Sequence, residues 1–344
     1  ACTMDVSIRA VNWIWGYYYF FHSSSLAKKF KIKLFKSLLL HARHIMTNLE
    51  FGQVRGNHYL SDIVGLVYLG ILFQETKEGK RWLEKGLSAL NEEMVFQVYP
   101  DGVDFESSIS YHRLVTELFL SATILCLKNC ITFSEWYMNR LEKMIEFVMF
   151  YTKPDGTAPQ IGDNDDGRLH ILSNYGNWNR LDHRYLLSIG AILFKRHDFK
   201  EASGESHEEA FWLLGAGEFK NLDILLDREL PLRSKAFSNG GFYIMHKDNL
   251  SMIIDCVPLN SKALSGHKHN SRLSFELFAY DKSFIIDPGT YIYTADKDKR
   301  NRFRSTRYHN TVVVDDEEQN RFDEDEIFAI KSDAAIKVNG WFVN

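Results

Sequence analysis

The sequence predicts an α+β, multidomain chain in which a helical array is followed by an antiparallel β-sandwich. Three observations predict it. Apolar residues recur at helical spacing through the first two thirds, and the period drops to two from about residue 234. Two breaks with the same wording, Pro100-Asp101-Gly102 and Pro154-Asp155-Gly156, each follow a long helical run and stand 54 residues apart. A stacked helical hairpin takes about 40–55 residues, so that interval fits an array of helix pairs.

The elements follow in order. Residues 25–47 carry apolar positions at helical spacing among lysines. Residues 58–73 are apolar nearly all round, which suits a helix buried on several sides. Residues 78–97, 105–128, 134–152 and 182–196 continue the series, punctuated by glycine and proline. The segments 242–245, 251–257 and 273–278 read as strands, and 275–287 as a hairpin turning at Asp281-Lys282. Short strands at close intervals suggest a sandwich. A length of 344 residues gives about two domains. We expect them at 1–230 and 231–344, with the seam where glycine, charged residues and Pro231 accumulate.

Composition narrows the class. An apolar fraction of 45% describes a well-cored globular protein and excludes a disordered chain. A net charge of −4 gives no global case for nucleic acid, and no run is long and apolar enough for a membrane helix. Lys297, Lys299, Arg300, Arg302, Arg304 and Arg307 crowd one stretch, read here as a loop. Such a run is either a solvated surface or an electrostatic guide for a polyanion. Cys2, Cys126, Cys130 and Cys256 make no disulfide framework and read as buried thiols. The chain opens on Ala1 and ends in what reads as the middle of a β-region. We expect it to be part of a longer protein.

Several residues could carry chemistry. His267 and His269 flank Lys268 in Gly266-His267-Lys268-His269-Asn270; Asp287 follows a strand pattern, and His309 opens His309-Asn310-Thr311. Alternate strand residues share a face, so these groups can converge on a metal site, a catalytic base, or both. The alternative is a hydrogen-bonded cluster with no metal. Asn57-His58 stands at the mouth of the buried 58–73 helix, as a helix cap with a core polar neighbour or as a functional pair. Tyr111 is one of 16 tyrosines and reads as a core aromatic or a proton donor. Asp163, in Gly162-Asp163-Asn164-Asp165-Asp166, lacks calcium-loop spacing and fits a polar loop on a cleft rim.

These motifs together resemble the bacterial heparinase II/III-like polysaccharide lyases. The resemblance rests on the 266–278, Asp287-Pro288-Gly289-Thr290 and 309–315 strings. It extends upstream to Val11-Asn12-Trp13-Ile14, Arg55-Gly56-Asn57-His58, Pro100-Asp101-Gly102 and the 105–112 string with Phe105, Glu106, Ser108, Tyr111 and His112. It implies an incomplete (α/α) toroid before the sandwich, with a cleft between them. It also implies cleavage of an acidic, uronic-acid-containing polysaccharide by β-elimination, and a bacterial periplasmic or secreted location, with the cytoplasm as the alternative. In that chemistry a neutraliser binds the uronate carboxylate, a base takes the C5 proton and an acid protonates the departing O4.

The family's motif puts Asn57 on the carboxylate, with His58 beside it, Tyr111 as the proton shuttle and His267 as the base. Glu106, His112, Asp163, Tyr291 and Arg304 are expected along the substrate. His269, Asp287 and His309 match the residues that hold one structural zinc ion in some members. Asn270 stands where the family often has Asp, an expected change in the surroundings of the histidines. Two rival readings share the residue set: a glycan-binding or glycan-trimming protein of capsule or lipopolysaccharide production, and a zinc-dependent hydrolase.

Overall fold

The computed structural model describes residues 2–52, 55–173, 178–225, 233–257 and 266–342. The chain divides into two compact units. One comprises residues 1–97, 117–137 and 168–170, and the other 98–116, 138–167 and 171–344. The expected domain seam at Pro231 lies outside the described residues.

In the first unit, α1 (Thr3–Tyr19), α2 (Lys28–Thr47) and α4 (Lys77–Gln97) surround α3 (Asn57–Leu72). The apolar 58–73 run becomes α3, buried on nearly every side. Its Val67 and Ile71 pack with Cys126, and Leu83, Leu87, Leu125 and Phe133 close around them. α1 buries Val6, Ser7, Ala10, Val11 and Ile14 at helical spacing. A polar chain crosses this core. Trp15 Nε1 donates to the Tyr68 hydroxyl at 3.1 Å, Tyr68 meets Ser121 at 2.6 Å, and Ser121 meets His170 Nε2 at 2.8 Å.

Two long helices, α5 (Ile109–Lys128) and α6 (Glu135–Tyr151), have residues in both units. The second unit adds α7 (Tyr185–Phe194) and the short helices α8 (His197–Ser203), α9 (Glu208–Leu214), α10 (Ala216–Phe219) and α11 (Asn221–Ile224). Its sheet runs β1 (Lys235–Phe237), β2 (Phe242–Lys247), β3 (Leu250–Asp255), β4 (Phe275–Ala279) and β5 (Lys282–Ile285). The strands lie in chain order, each antiparallel to the next. Phe147 of α6 packs edge-on to Phe237 of β1, ring centres 4.8 Å apart, and lies 5.3 Å from Phe242 of β2.

The repeated Pro-Asp-Gly is one turn used twice. Tyr99 N donates to the Val103 carbonyl and Gly102 N to that of Tyr99; Lys153–Thr157 and Gly156–Lys153 repeat the pattern. Gly102 and Gly156 have φ of 93° and 82°, the left-handed step that closes a type I turn and that a side chain resists.

Several expectations need correction. The basic 296–307 stretch is not a loop: α12 (Lys297–Arg304) occupies it, capped by the Asp296 side chain accepting from Lys299 N. Of the strand or extended lead-in expected for the two histidines, His269 takes the lead-in, while His267 sits in the turn before it. His309 follows a 3-10 turn (Thr306–Tyr308), and among the described residues no strand follows β5; Val314 and Glu317 form an isolated bridge. The β4–β5 hairpin turns at Tyr280-Asp281, one residue earlier than expected, with φ of 49° and 58°. Of the cysteines only Cys126 is buried, and Cys130 is exposed.

Candidate active site and metal centre

The 105–111 string is explained by its serines. Ser108 Oγ donates to the Asp163 carbonyl at 2.6 Å, and Ser110 Oγ to the Asp165 carbonyl at 2.6 Å. Ile109 N donates to the Ile161 carbonyl, and Asp163 N to that of His267. Gly162, at φ 77°, lets these segments close, because a Cβ there would meet Ser108 and the His267 carbonyl at about 3 Å. The first turn of α5, the 161–165 loop and the 266–269 turn are thus stitched into one frame.

Asp163 is the hub of that frame. It is fully buried and accepts from His267 Nδ1 at 3.0 Å, His269 Nε2 at 2.7 Å, Arg300 Nη2 at 2.9 Å and Thr290 Oγ1 at 3.2 Å. Burial alone would raise its pKa. The hydrogen bonds from His267 and His269, with the charges of His269 and Arg300, outweigh burial and hold it far below the usual carboxylate range. The ionised Asp163 fixes a proton on Nδ1 of His267, leaving Nε2 as the lone-pair nitrogen. Burial pulls the His267 pKa down, and the Asp163 hydrogen bond with the Glu106 and Asp163 charges more than reverses it, for a net rise.

Tyr111 stacks on His267, ring centres 3.5 Å apart and planes 16° from parallel. Its hydroxyl lies 3.5 Å from both Asp165 Oδ2 and the Tyr293 hydroxyl. Burial, then the Tyr293 and Asp165 charges, push the phenol well above its ordinary pKa, so it keeps its proton at neutral pH.

A second cluster lies beside the first. His269, Asp287 and His309 are all buried, with candidate ligand atoms within 4.8 Å of one another. His269 spends Nε2 on Asp163, and His309 spends Nδ1 on Asp287 Oδ2 at 2.9 Å. The remaining nitrogens, His269 Nδ1 and His309 Nε2, are buried with no hydrogen-bond partner among the described residues. Two orphaned imidazole nitrogens beside a carboxylate fit a metal ion, and each imidazole is oriented through its other nitrogen by a carboxylate.

The other expected residues divide. Glu106 is buried near this frame, where its charge acts on His267. His112 is turned into the core. It is buried, accepts from Asp104 N at 3.2 Å and donates from Nε2 to the Met144 carbonyl at 3.0 Å, and burial lowers its pKa to about 4. Arg304 is no surface cation. Its buried guanidinium donates to the Asp323, Glu326 and Ala329 carbonyls, because it shares the inward face of α12 with Arg300, four residues earlier. Asp163 is no rim residue either. Tyr291 is exposed and stacks on Phe303, while Tyr293 is the phenol that reaches Tyr111. Asn270 Nδ2 donates to Glu318 Oε2 at 2.7 Å and to the Asn320 carbonyl at 2.8 Å.

Asn57 and His58 belong to the first unit. Gly56, in extended geometry, is the N-cap of α3, so Asn57 is the first helical residue and not the cap. Gln97 Nε2 donates to the Gly56 carbonyl at 3.2 Å, and Arg55 pairs with the buried Glu93 at 3.0 Å. His58 is half exposed and pairs with Glu50. The sequence named Arg300 only within a basic run and Thr290 only within a motif string, and placed neither against Asp163. The Asp296 cap ahead of an i, i+4 arginine pair is the signal that could have found Arg300.

Residues 2–183 match the sequence model of the heparinase II/III N-terminus, and residues 229–339 that of the heparinase II/III-like C-terminal region. A heparin-sulfate lyase of Bacteroides stercoris is 28% identical over 324 residues, 90% of this chain and 43% of the relative. One from Pedobacter heparinus is 27% identical over 275 residues, 76% of this chain and 36% of the relative. The solved structure of a heparinase III gene product superposes with a TM-score of 0.66 at 26% identity, covering 92% of this chain and 45% of its own. The chain thus spans less than half the length of these relatives. With both family regions matched in order along it, the chain belongs to the heparinase II/III family.

Proposed function

We propose that the protein cleaves an acidic, uronic-acid-containing polysaccharide by β-elimination, within the chemical class of the heparin-sulfate lyases it resembles. The observation that carries this reading is the Tyr111–His267 stack with His267 pinned to buried Asp163. His267 Nε2 takes the C5 proton, the C4–O4 bond breaks as the C4–C5 double bond forms, and Tyr111 gives its proton to the departing O4. A phenol held above its ordinary pKa donates only to a strongly basic oxygen, which the leaving O4 becomes. Asn57 neutralises the carboxylate and His58 assists it, roles that rest on the family's motif. Tyr293, by its reach to Tyr111, joins the proton path.

The same reading extends to architecture and setting. The helices form an incomplete (α/α) toroid over 1–230, and β1–β5 begin a β-sandwich in a domain from 231 to 344. The protein works in the bacterial periplasm or outside the cell. His269, Asp287 and His309 would hold one zinc ion as a structural tie between three chain segments. The orphaned nitrogens of the two histidines support this. His267 stays free of the metal, because the cluster of donors close to one another consists of His269, Asp287 and His309 without it.

Two variant sets test the assignment. Tyr111→Phe and His267→Ala should each cut turnover by about 10²–10⁴ while the fold is retained, and near-normal rates in both would remove these groups from the chemistry. His309→Ala should lose one equivalent of zinc together with thermal stability. Zinc-free native protein whose stability is indifferent to chelators would leave the cluster as a hydrogen-bonded network.

A further inference from the structure

We propose that Cys2, Glu50 and His58 form a second metal site, one that takes a thiophilic divalent cation such as Zn²⁺. The three donors come from separate segments of the first unit. Cys2 is the N-cap of α1, Glu50 lies in the link after α2, and His58 is in the first turn of α3. Cys2 Sγ stands 3.2 Å from Glu50 Oε1 and 3.7 Å from His58 Nδ1, and His58 Nδ1 also contacts Glu50 Oε2. Donors around a tetrahedral zinc with bonds of about 2.0–2.3 Å are separated by about 3.3–3.8 Å. The sulfur-to-oxygen and sulfur-to-nitrogen spacings are close to that without an ion to impose them.

The carboxylate is also held in place. Thr3 N donates to Glu50 Oε1 at 2.7 Å, and the Glu50 backbone N donates to Asp62 Oδ2 at 2.8 Å. Cys2 is partly buried and His58 half exposed, so an ion can enter and keep a water as its fourth ligand. A thiol, an imidazole and a carboxylate select zinc over magnesium or calcium, which prefer oxygen alone. Binding forms the Sγ–metal bond and releases the thiol proton to solvent. None of this depends on the lyase reading, and the site uses Nδ1 of His58, which leaves Nε2 for the role proposed above.

Sulfur makes the site separately observable, because His269, Asp287 and His309 contain none. Cobalt(II) added to the metal-free full chain should give a thiolate-to-cobalt charge-transfer band in the near ultraviolet. Cys2→Ser should abolish the band, and Cys130→Ser, which alters the exposed thiol, should keep it. On the wild-type chain, zinc should slow alkylation of Cys2 and leave Cys130 reactive, a readout that needs no variant to fold. The proposal is overturned by absence of the band at excess cobalt, by its survival in Cys2→Ser, or by equal alkylation of Cys2 with and without zinc.

Discussion

Asp163 accepts hydrogen bonds from His267, His269, Arg300 and Thr290, and so ties the proposed base to the proposed metal cluster through one carboxylate. Its role was not legible in the sequence. In a Gly-Asp-Asn-Asp-Asp-Gly loop a carboxylate reads as solvated, and every side-chain partner lies more than 100 positions away. The structure brings His267 against Tyr111, and His269 beside Asp287 and His309, residues that distinctive local strings had marked as candidates. His112 was read wrongly for the converse reason: it adjoins Tyr111 in sequence, yet successive helical residues point about 100° apart, so it faces the α6 side of the core. Asp163→Asn removes the charge and strands Arg300 as a buried, unpaired cation. We expect a stability loss of about 3–5 kcal/mol in denaturant unfolding, together with reduced turnover, since His267 would no longer be held in its Nδ1-protonated form. An unfolding midpoint equal to wild type would contradict the hub.

Among the elements, α2–α7 and the β2–β4 strands emerged from periodicity with ends displaced by a few residues. Helix α12 did not, because its buried face is made of Arg300 and Arg304 and offers no apolar stripe to detect. Helix α3 shows the opposite case, apolar enough to be recognised yet carrying a buried Asp62. Burial, reinforced by the Glu50 charge, raises the Asp62 pKa from the usual 3.8 to about 7, against hydrogen bonds from Glu50 N and Ser7 that favour the ionised form. Well below pH 3.8 the carboxyl is protonated folded and unfolded alike and imposes no charge cost. As pH rises from about 4 to 7 the unfolded chain loses its proton first, so this group's contribution to stability falls by up to about 4 kcal/mol and then levels off. Asp62→Asn should flatten that window and raise the melting temperature at pH 8 relative to wild type. An unchanged pH profile of melting would show that Asp62 is ionised throughout in the fold.

For the molecule as a whole, the sequence carried the class, helices followed by an antiparallel sheet, and the family, because several spaced strings agree in order. Assignment of residues to the two compact units was hidden, since 117–137 and 168–170 join the first unit through contacts that chain order does not reveal. The product of the reaction reports its type. Elimination leaves a C4–C5 double bond conjugated with the uronate carboxylate and takes no oxygen from water. The full-length protein should be incubated with heparan sulfate, heparin, hyaluronan, alginate and bacterial capsular polymers in isotopically labelled water, with ultraviolet absorbance and product mass followed together. The account predicts that whichever polymer is cut yields absorbing, unsaturated ends free of solvent label; saturated products carrying labelled oxygen would contradict it.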